Sequence, residues 1–273
     1  MTLKKRRTGA GAAAFASFGK GLYLALILLF LYLPIFTLMV LSFNEGKTMS
    51  RWTGFSMRWY QEMFASKTIM DALGNTLTIA FWAATIATIV GLLACIGMSA
   101  MKERSRLVLM GINNIPLLNA DIVTGISIMM TFIVCGISLN YGTVLFSHIT
   151  FCIPYVILSV MPKFKQLESH TYEAALDLGS SPLYAFFKVV MPDIMPGVVS
   201  GFLLSFTMSV DDFVITHFTR GAGINTLSTL IYSQVKVGIR PTLYALSTVI
   251  FVLVLVILIV VNILSNRKET EEL

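Results

Sequence analysis

The sequence predicts an all-α integral membrane protein with about six transmembrane helices, and three observations carry that expectation. Charged residues make up only 12% of the 273 residues and apolar ones 56%, against roughly 25% charge in an ordinary soluble domain. The apolar residues are gathered into blocks of about 20, long enough to cross a bilayer as helix. The basic residues flank those blocks and do not line one polar face, so orientation in a membrane accounts for the net charge of +6 better than nucleic acid does.

The first block, Leu22 to Phe43, follows a basic stretch, residues 1–21, that holds Lys4, Lys5, Arg6, Arg7 and Lys20. A cleaved signal has an apolar region of about 7 to 15 residues ending in a small-residue site. This block is longer and runs into Asn44 and Glu45, which reads as a retained anchor. The later blocks are Leu73 to Ala100, a stretch from near Leu107 to near Gly136, Val144 to Met161, roughly Gly197 to Ile215, and Tyr244 to Leu264, with a polar tail at 266–273. Residues 22–265 read as one transmembrane domain. With the N-terminus inside, the inner segments also take Lys102, Arg104, Arg106, Lys163, Lys165, Lys188, Arg267 and Lys268. The outer segments keep Lys47, Arg51, Arg58, Lys67, Arg220, Lys236 and Arg240. The excess lies inside, as the positive-inside rule requires, and places both termini in the cytoplasm.

Two blocks carry small residues at every fourth position: Ala83, Ala87, Gly91, Cys95 and Ser99, then Gly197, Gly201, Ser205 and Ser209. Such stripes let helix backbones approach closely inside a bilayer, so these faces are expected against protein. Trp52, Phe55, Trp59, Tyr60, Met63 and Phe64 mix with Arg58, Gln61 and Glu62; this suits an interfacial helix or, equally, a folded loop carrying an aromatic belt. Cys95, Cys135 and Cys152 fall within apolar blocks without metal spacing and read as packing thiols.

The segment 169–192 between the fourth and fifth blocks reads as two short helices with a sharp break. Ser169 or Thr171 is expected to cap the first, with Glu173 in its first turn. Gly179 is placed to end it in the left-handed conformation. Ser181 is expected to cap the second, with Pro182 at its first position, and that helix to stop before Met191 and Pro192. Its apolar residues, Ala174, Ala175, Leu178, Phe186 and Phe187, need a partner.

The spacing of Glu173-Ala174-Ala175, Gly179, Val189 and Met191-Pro192 resembles the EAA loop of membrane permeases in ATP-binding-cassette (ABC) importers, with Val189 and Met191 where that family favours Ile and Leu. The resemblance implies the type I importer permease fold in a bacterial inner membrane. It also implies that Glu173, Ala174, Ala175, Gly179 and Pro192 belong to a cytoplasmic coupling helix docked on a separate ATPase. The implied partners are an ATPase dimer that holds ATP and magnesium, a second homologous permease and an external solute-binding protein. This chain has no phosphate loop, since Gly19-Lys20-Gly21 lacks the hydroxyl residue and the strand. It is expected to be no enzyme and to hold no cofactor or metal, and His148, His170 and His217 are expected to serve packing or loop structure.

Asp121-Ile122-Val123-Thr124-Gly125, Phe146-Ser147-His148-Ile149-Thr150-Phe151, Leu204-Ser205-Phe206-Thr207 with Asp211-Asp212, and Val235-Lys236-Val237-Gly238 resemble the PotC-type permeases of spermidine/putrescine importers. That likeness implies a polyamine solute, although iron, sulfate and phosphonate importers share the scaffold. The residues point the same way, because paired carboxylates at a helix C-terminus oppose its dipole and ask for a cation. Asp211 and Asp212 either meet solute or cap the next loop or bridge to Arg220 or Lys236. Asp121 either caps its helix after the Pro116 and Asn119 break or lines the path, since acids within spans are functional candidates. An ion-coupled secondary transporter would need no docking loop and usually shows internal repeats, which are not seen.

Overall fold

The computed structural model describes residues 10–46, 51–167, 169–238, 240–252 and 254–256, with side chains from residue 19 onward except those of Ser169, His170 and Thr171. The basic residues Lys4 to Arg7, the end of the last apolar block at Leu264 and the tail 266–273 lie outside the described residues. All regular structure among the described residues is helical, apart from an isolated bridge between Asn44 and Phe55. The chain divides into two units, Met1–Ser66 with Gly238–Leu273, and Lys67–Val237.

The first unit holds α1 (Ala10–Ser42), α2 (Arg58–Ala65) and α12 (Pro241–Val256). After α1 the chain folds around Asn44, whose side-chain amide donates to the Arg51 carbonyl at 2.9 Å and accepts from the Thr53 amide at 2.9 Å. The Trp59 indole donates to the Asn44 carbonyl at 2.6 Å, and Phe43 stacks on Phe55 at 5.3 Å. The aromatic segment is thus a folded loop closed by a short helix: Trp59 and Met63 are buried, while Trp52, Phe55 and Phe64 are exposed.

The second unit is built on three long helices, α3 (Lys67–Ser99), α6 (Tyr141–Gln166) and α9 (Met191–Asp211), which pack on one another. Small residues make that packing possible. Val156 of α6 lies so close to Gly91 that a β-carbon there would meet its Cγ1 at 2.7 Å; one on Gly201 would meet the Val156 backbone at 3.2 Å, and one on Gly197 the Ser159 carbonyl at 3.0 Å. Ala83, Ala87, Cys95, Ser205 and Ser209 are buried on the same faces, as the stripes predict, whereas Ser99 is exposed at the helix end. Contacts of Thr78 with Tyr141 and of Cys95 with Ile157 run α6 parallel to α3. Those of Cys152 with Ser205 and of His148 with Ser209 run it antiparallel to α9.

Two boundaries differ from the sequence expectation, whereas the break read at Pro116 and Asn119 is present: α4 (Glu103–Leu118) and α5 (Asp121–Val134) meet at a bend of 102°. Pro116 lacks an N–H and Asn119 and Ala120 take extended backbone, so the helical ladder cannot continue. The fifth block ends at Asp211, and Ile215 belongs to a separate short helix, α10 (Val214–Thr219). At its other end the helix begins earlier than expected. Pro182–Asp211 is one helical run made of α8 (Pro182–Ala185), a π-turn at Phe186–Val190 and α9. Pro192 cannot supply the amide that a regular helix needs at that point, and the wider turn absorbs the gap without ending the helix. Helix α7 (Ser169–Asp177) precedes this run, and α11 (Leu227–Val237) closes the unit.

Among the described residues four helices are long and apolar enough to cross a membrane, and the α4–α5 pair makes a fifth if it counts as one span. The described part of α12 is a shorter apolar helix.

Candidate functional site

Two places at opposite ends of the α3/α6/α9 bundle gather the residues singled out by sequence. At about 1.5 Å per residue, α9 separates them by roughly 30 Å.

At the first end stands the elbow of α7 and α8. Gly179 has φ +86° and open space around it, so the requirement for glycine comes from backbone conformation alone. The amides of Gly179 and Ser180 return to the Leu176 and Ala175 carbonyls and close α7. Ser181 caps α8 by accepting from the Tyr184 amide at 3.4 Å, with Pro182 next to it. These features match the sequence reading. Two others do not: α7 starts at Ser169, so Thr171 lies inside the helix and not at its cap, and Glu173 falls beyond the first turn. Glu173 instead lines a groove of about 570 Å³ together with Tyr172, Phe164, Phe186, Val189 and Asp193.

The expected apolar face is also redrawn. Phe186 is half-buried and turns into the groove, and Ala175 is half-buried. Leu178 is 87% exposed and Leu183 73%, with Phe187 and Tyr184 each 59% exposed. Leu183 and Tyr184, which composition alone did not single out, complete an apolar tip of a kind that monomeric surfaces rarely leave open. Ala174 and Pro192 are exposed.

At the second end, Asp211 and Asp212 are adjacent in sequence but differ in surroundings. Asp211 is exposed and has no side-chain partner among the described residues. The Asp212 carboxylate, only 9% exposed, accepts from the Ile215 amide at 3.1 Å and from the amide and hydroxyl of Thr216 at 2.8 Å each. From the position before the cap residue Phe213 it holds the first amides of α10, which is the capping reading for one of the two acids. The suggested bridges do not form: Arg220 donates to the Ile224 carbonyl and to the Asn225 side chain, and the Lys236 ammonium lies 4.5 Å over the Tyr232 ring. Asp121 is exposed as the first residue of α5, with Ala120 at the cap position, so it sits in the first turn where the dipole favours an acid but is not the cap itself.

His148, 1% exposed, joins this end. Its Nε2 lies 2.9 Å from the Thr216 hydroxyl and 3.4 Å from Asp212 Oδ2, and its Nδ1 is 2.7 Å from the Ser209 hydroxyl. The Thr216 hydroxyl already donates to Asp212, so it has only lone pairs to offer His148; Nε2 is consequently the nitrogen that carries a proton. The sequence reading assigned His148 to packing and did not pair it. One signal was available: Cys152 and Ser205 share a small-residue face between antiparallel helices, and one turn further along that face His148 meets Ser209.

A bundle of long apolar helices with close small-residue packing, and an exposed elbow running without interruption into one of them, defines a polytopic membrane protein. The chain belongs to the family of binding-protein-dependent transport system inner membrane components, whose model matches residues 8–270. It is 37% identical to the spermidine/putrescine transport system permease protein PotC of Haemophilus influenzae, over 92% of this chain and 98% of that one. It is also 37% identical to the putrescine transport system permease protein PotI of Escherichia coli, over 81% of each. A bacterial ABC transporter that imports the acidic polysaccharide alginate has the same fold, with TM-score 0.74 at 15% identity, covering 97% of this chain and 99% of that one. An amino acid ABC transporter matches at TM-score 0.57 and 17% identity, covering 77% and 98%. The protein is a membrane permease subunit of an ABC importer, and the resemblance read from its EAA loop is borne out.

Proposed function

We propose that this permease passes polyamines, spermidine or putrescine, across the bacterial inner membrane. The observation that carries the proposal is the identity of 37% to a spermidine/putrescine permease over 92% of the chain. The exposed acids support it. Asp211 sits at the C-terminal end of α9, where the helix dipole is also negative, and Asp121 is exposed at the α4–α5 break. A solute carrying several ammonium groups would satisfy such carboxylates by charge-assisted hydrogen bonds.

In this reading the elbow lies in the cytoplasm, as the distribution of basic residues suggests, with both termini on the same side. Six spans result when the bent pair counts as one and the last apolar block as another. Leu178, Leu183, Tyr184 and Phe187 dock on a partner ATPase dimer that binds ATP and magnesium; Glu173, Ala174, Ala175, Gly179 and Pro192 hold the elbow in shape behind them. Because Pro182–Asp211 is one helical run, a displacement of the tip is carried along α9 to the far end of the bundle. A second homologous permease completes the path, and an external solute-binding protein delivers the solute.

The test is uptake of labelled spermidine and putrescine by vesicles containing the co-expressed complex, with ATP inside and binding protein outside. Saturable uptake that needs both is the expected result. ATP-driven uptake of a different solute but of neither polyamine would overturn the substrate assignment, and uptake driven by an ion gradient without ATP would overturn the coupling.

A further inference from the structure

The cluster around His148 ties three helices together, and solute contact does not explain it. Ser209 and Asp212 come from the end of α9, His148 from α6 and Thr216 from α10. The Ser228 hydroxyl adds a bond to the Asp212 carbonyl at 2.6 Å. Helix α10 is only six residues long, and a helix that short does not persist by itself. It is seated on α5 at one close approach, where a β-carbon on Gly125 would meet the Phe218 ring at 3.2 Å and the Ile215 backbone at 3.4 Å. Gly125 lies one turn beyond Asp121. A continuous set of contacts thus runs from the end of α9 through Asp212, Thr216 and His148 to α10, and from α10 to the helix that begins with Asp121.

We propose that His148 and Asp212 form a clasp that positions α10 on α5, so that Asp212 acts through α10 and Asp211 alone of the two adjacent acids is left to meet solute. Both oxygens of Asp212 are filled from within the chain, and its exposure of 9% leaves little room for a ligand. The clasp is a positioning device for transport: it makes the start of α5 follow the end of α9. The inference rests on the importer reading and not on the identity of the solute.

The test uses the assembled importer in vesicles with Cys135→Ser, which removes the exposed thiol among the described residues. In that background Ile215→Cys puts a thiol on the buried side of α10, where Ile215 is 3% exposed. A water-soluble maleimide is expected to label it slowly, both with the clasp intact and with Asp211→Asn. Added His148→Ala or Asp212→Asn is expected to raise the labelling rate several-fold. In spermidine uptake without the cysteine, His148→Ala and Asp212→Asn are each expected to lower kcat by roughly three- to thirty-fold with KM unchanged. The double variant should be no worse than the poorer single one. If His148→Ala fails to reach the membrane, the near-isosteric Thr216→Val removes the shared hydroxyl and should behave alike. Unchanged labelling in every clasp variant overturns the proposal. So does a raised KM in Asp212→Asn beside normal His148→Ala, which makes Asp212 a solute ligand. Absence of polyamine uptake by the unsubstituted complex counts only against the substrate assignment, because the labelling still decides the clasp.

Discussion

The two ends of the α3/α6/α9 bundle solve opposite problems. At the elbow, large apolar side chains stand in the open: Leu178 and Leu183 are 87% and 73% exposed among the described residues. At the far end, polar side chains are buried and answered from within, with His148, Ser209 and Thr216 at 3% exposure or less and Asp212 bonded on both oxygens. An exposed apolar surface gains stability only by meeting another molecule. A buried polar set that is already satisfied gains nothing from one and loses much when a member is removed. The elbow is therefore the end left with apolar surface to cover, and the far end is the one whose polar groups are answered within the chain.

The contrast is broken most severely at Gly179. Its φ of +86° is closed to proline, whose ring fixes φ near −65°, so Gly179→Pro is expected to reduce ATP-driven uptake to background while leaving membrane insertion intact, as checked by immunoblot of washed membranes. Next, Leu183→Asp places a charge on the apolar tip without disturbing the bundle. It is expected to lower binding-protein-stimulated ATP hydrolysis by the assembled complex by roughly tenfold, the effect of a single hot-spot residue. Third, Gly201→Val forces a side chain against the Val156 backbone, already 3.2 Å from a β-carbon there. Overpacking of this kind costs about 1–3 kcal/mol, to be read as a lower unfolding midpoint in detergent. Gly97→Val, which has nothing within 4 Å of its β-carbon, is the control and should not be overpacked. The smallest effect is expected from Asp211→Asn, which should raise KM for spermidine by a few-fold with kcat unchanged.

Much of the elbow was legible in the sequence because its features are local. A glycine for a positive φ, a serine cap and a proline beside it act over a few residues, and all three hold. The small-residue stripes were legible for the same reason, since a period of four positions fixes a helix face. The prolines were legible in one place and misleading in the other. Pro116, with Asn119, marked the break that appears as a bend of 102°; Pro192 suggested a helix end, but a π-turn at Phe186–Val190 absorbs it. The clasp was hardest to read because its members are far apart in the chain. His148 and Asp212 meet only once α6 and α9 have packed antiparallel in one register, and a lone histidine in an apolar block carries no sign of its partner.

The central claim is that the elbow's exposed tip meets the ATPase and passes its motion into α9. The most direct measurement places a photoactivatable cross-linker on Leu183→Cys, in a chain with Cys135→Ser, within the assembled complex, and asks what it captures with and without ATP. Capture of the ATPase subunit, with a yield that changes when ATP is bound and not hydrolysed, is the result predicted. Capture of lipid alone, or of the ATPase with a yield indifferent to nucleotide, would contradict the account, because the tip would then lie on the membrane or be attached to a part that does not move.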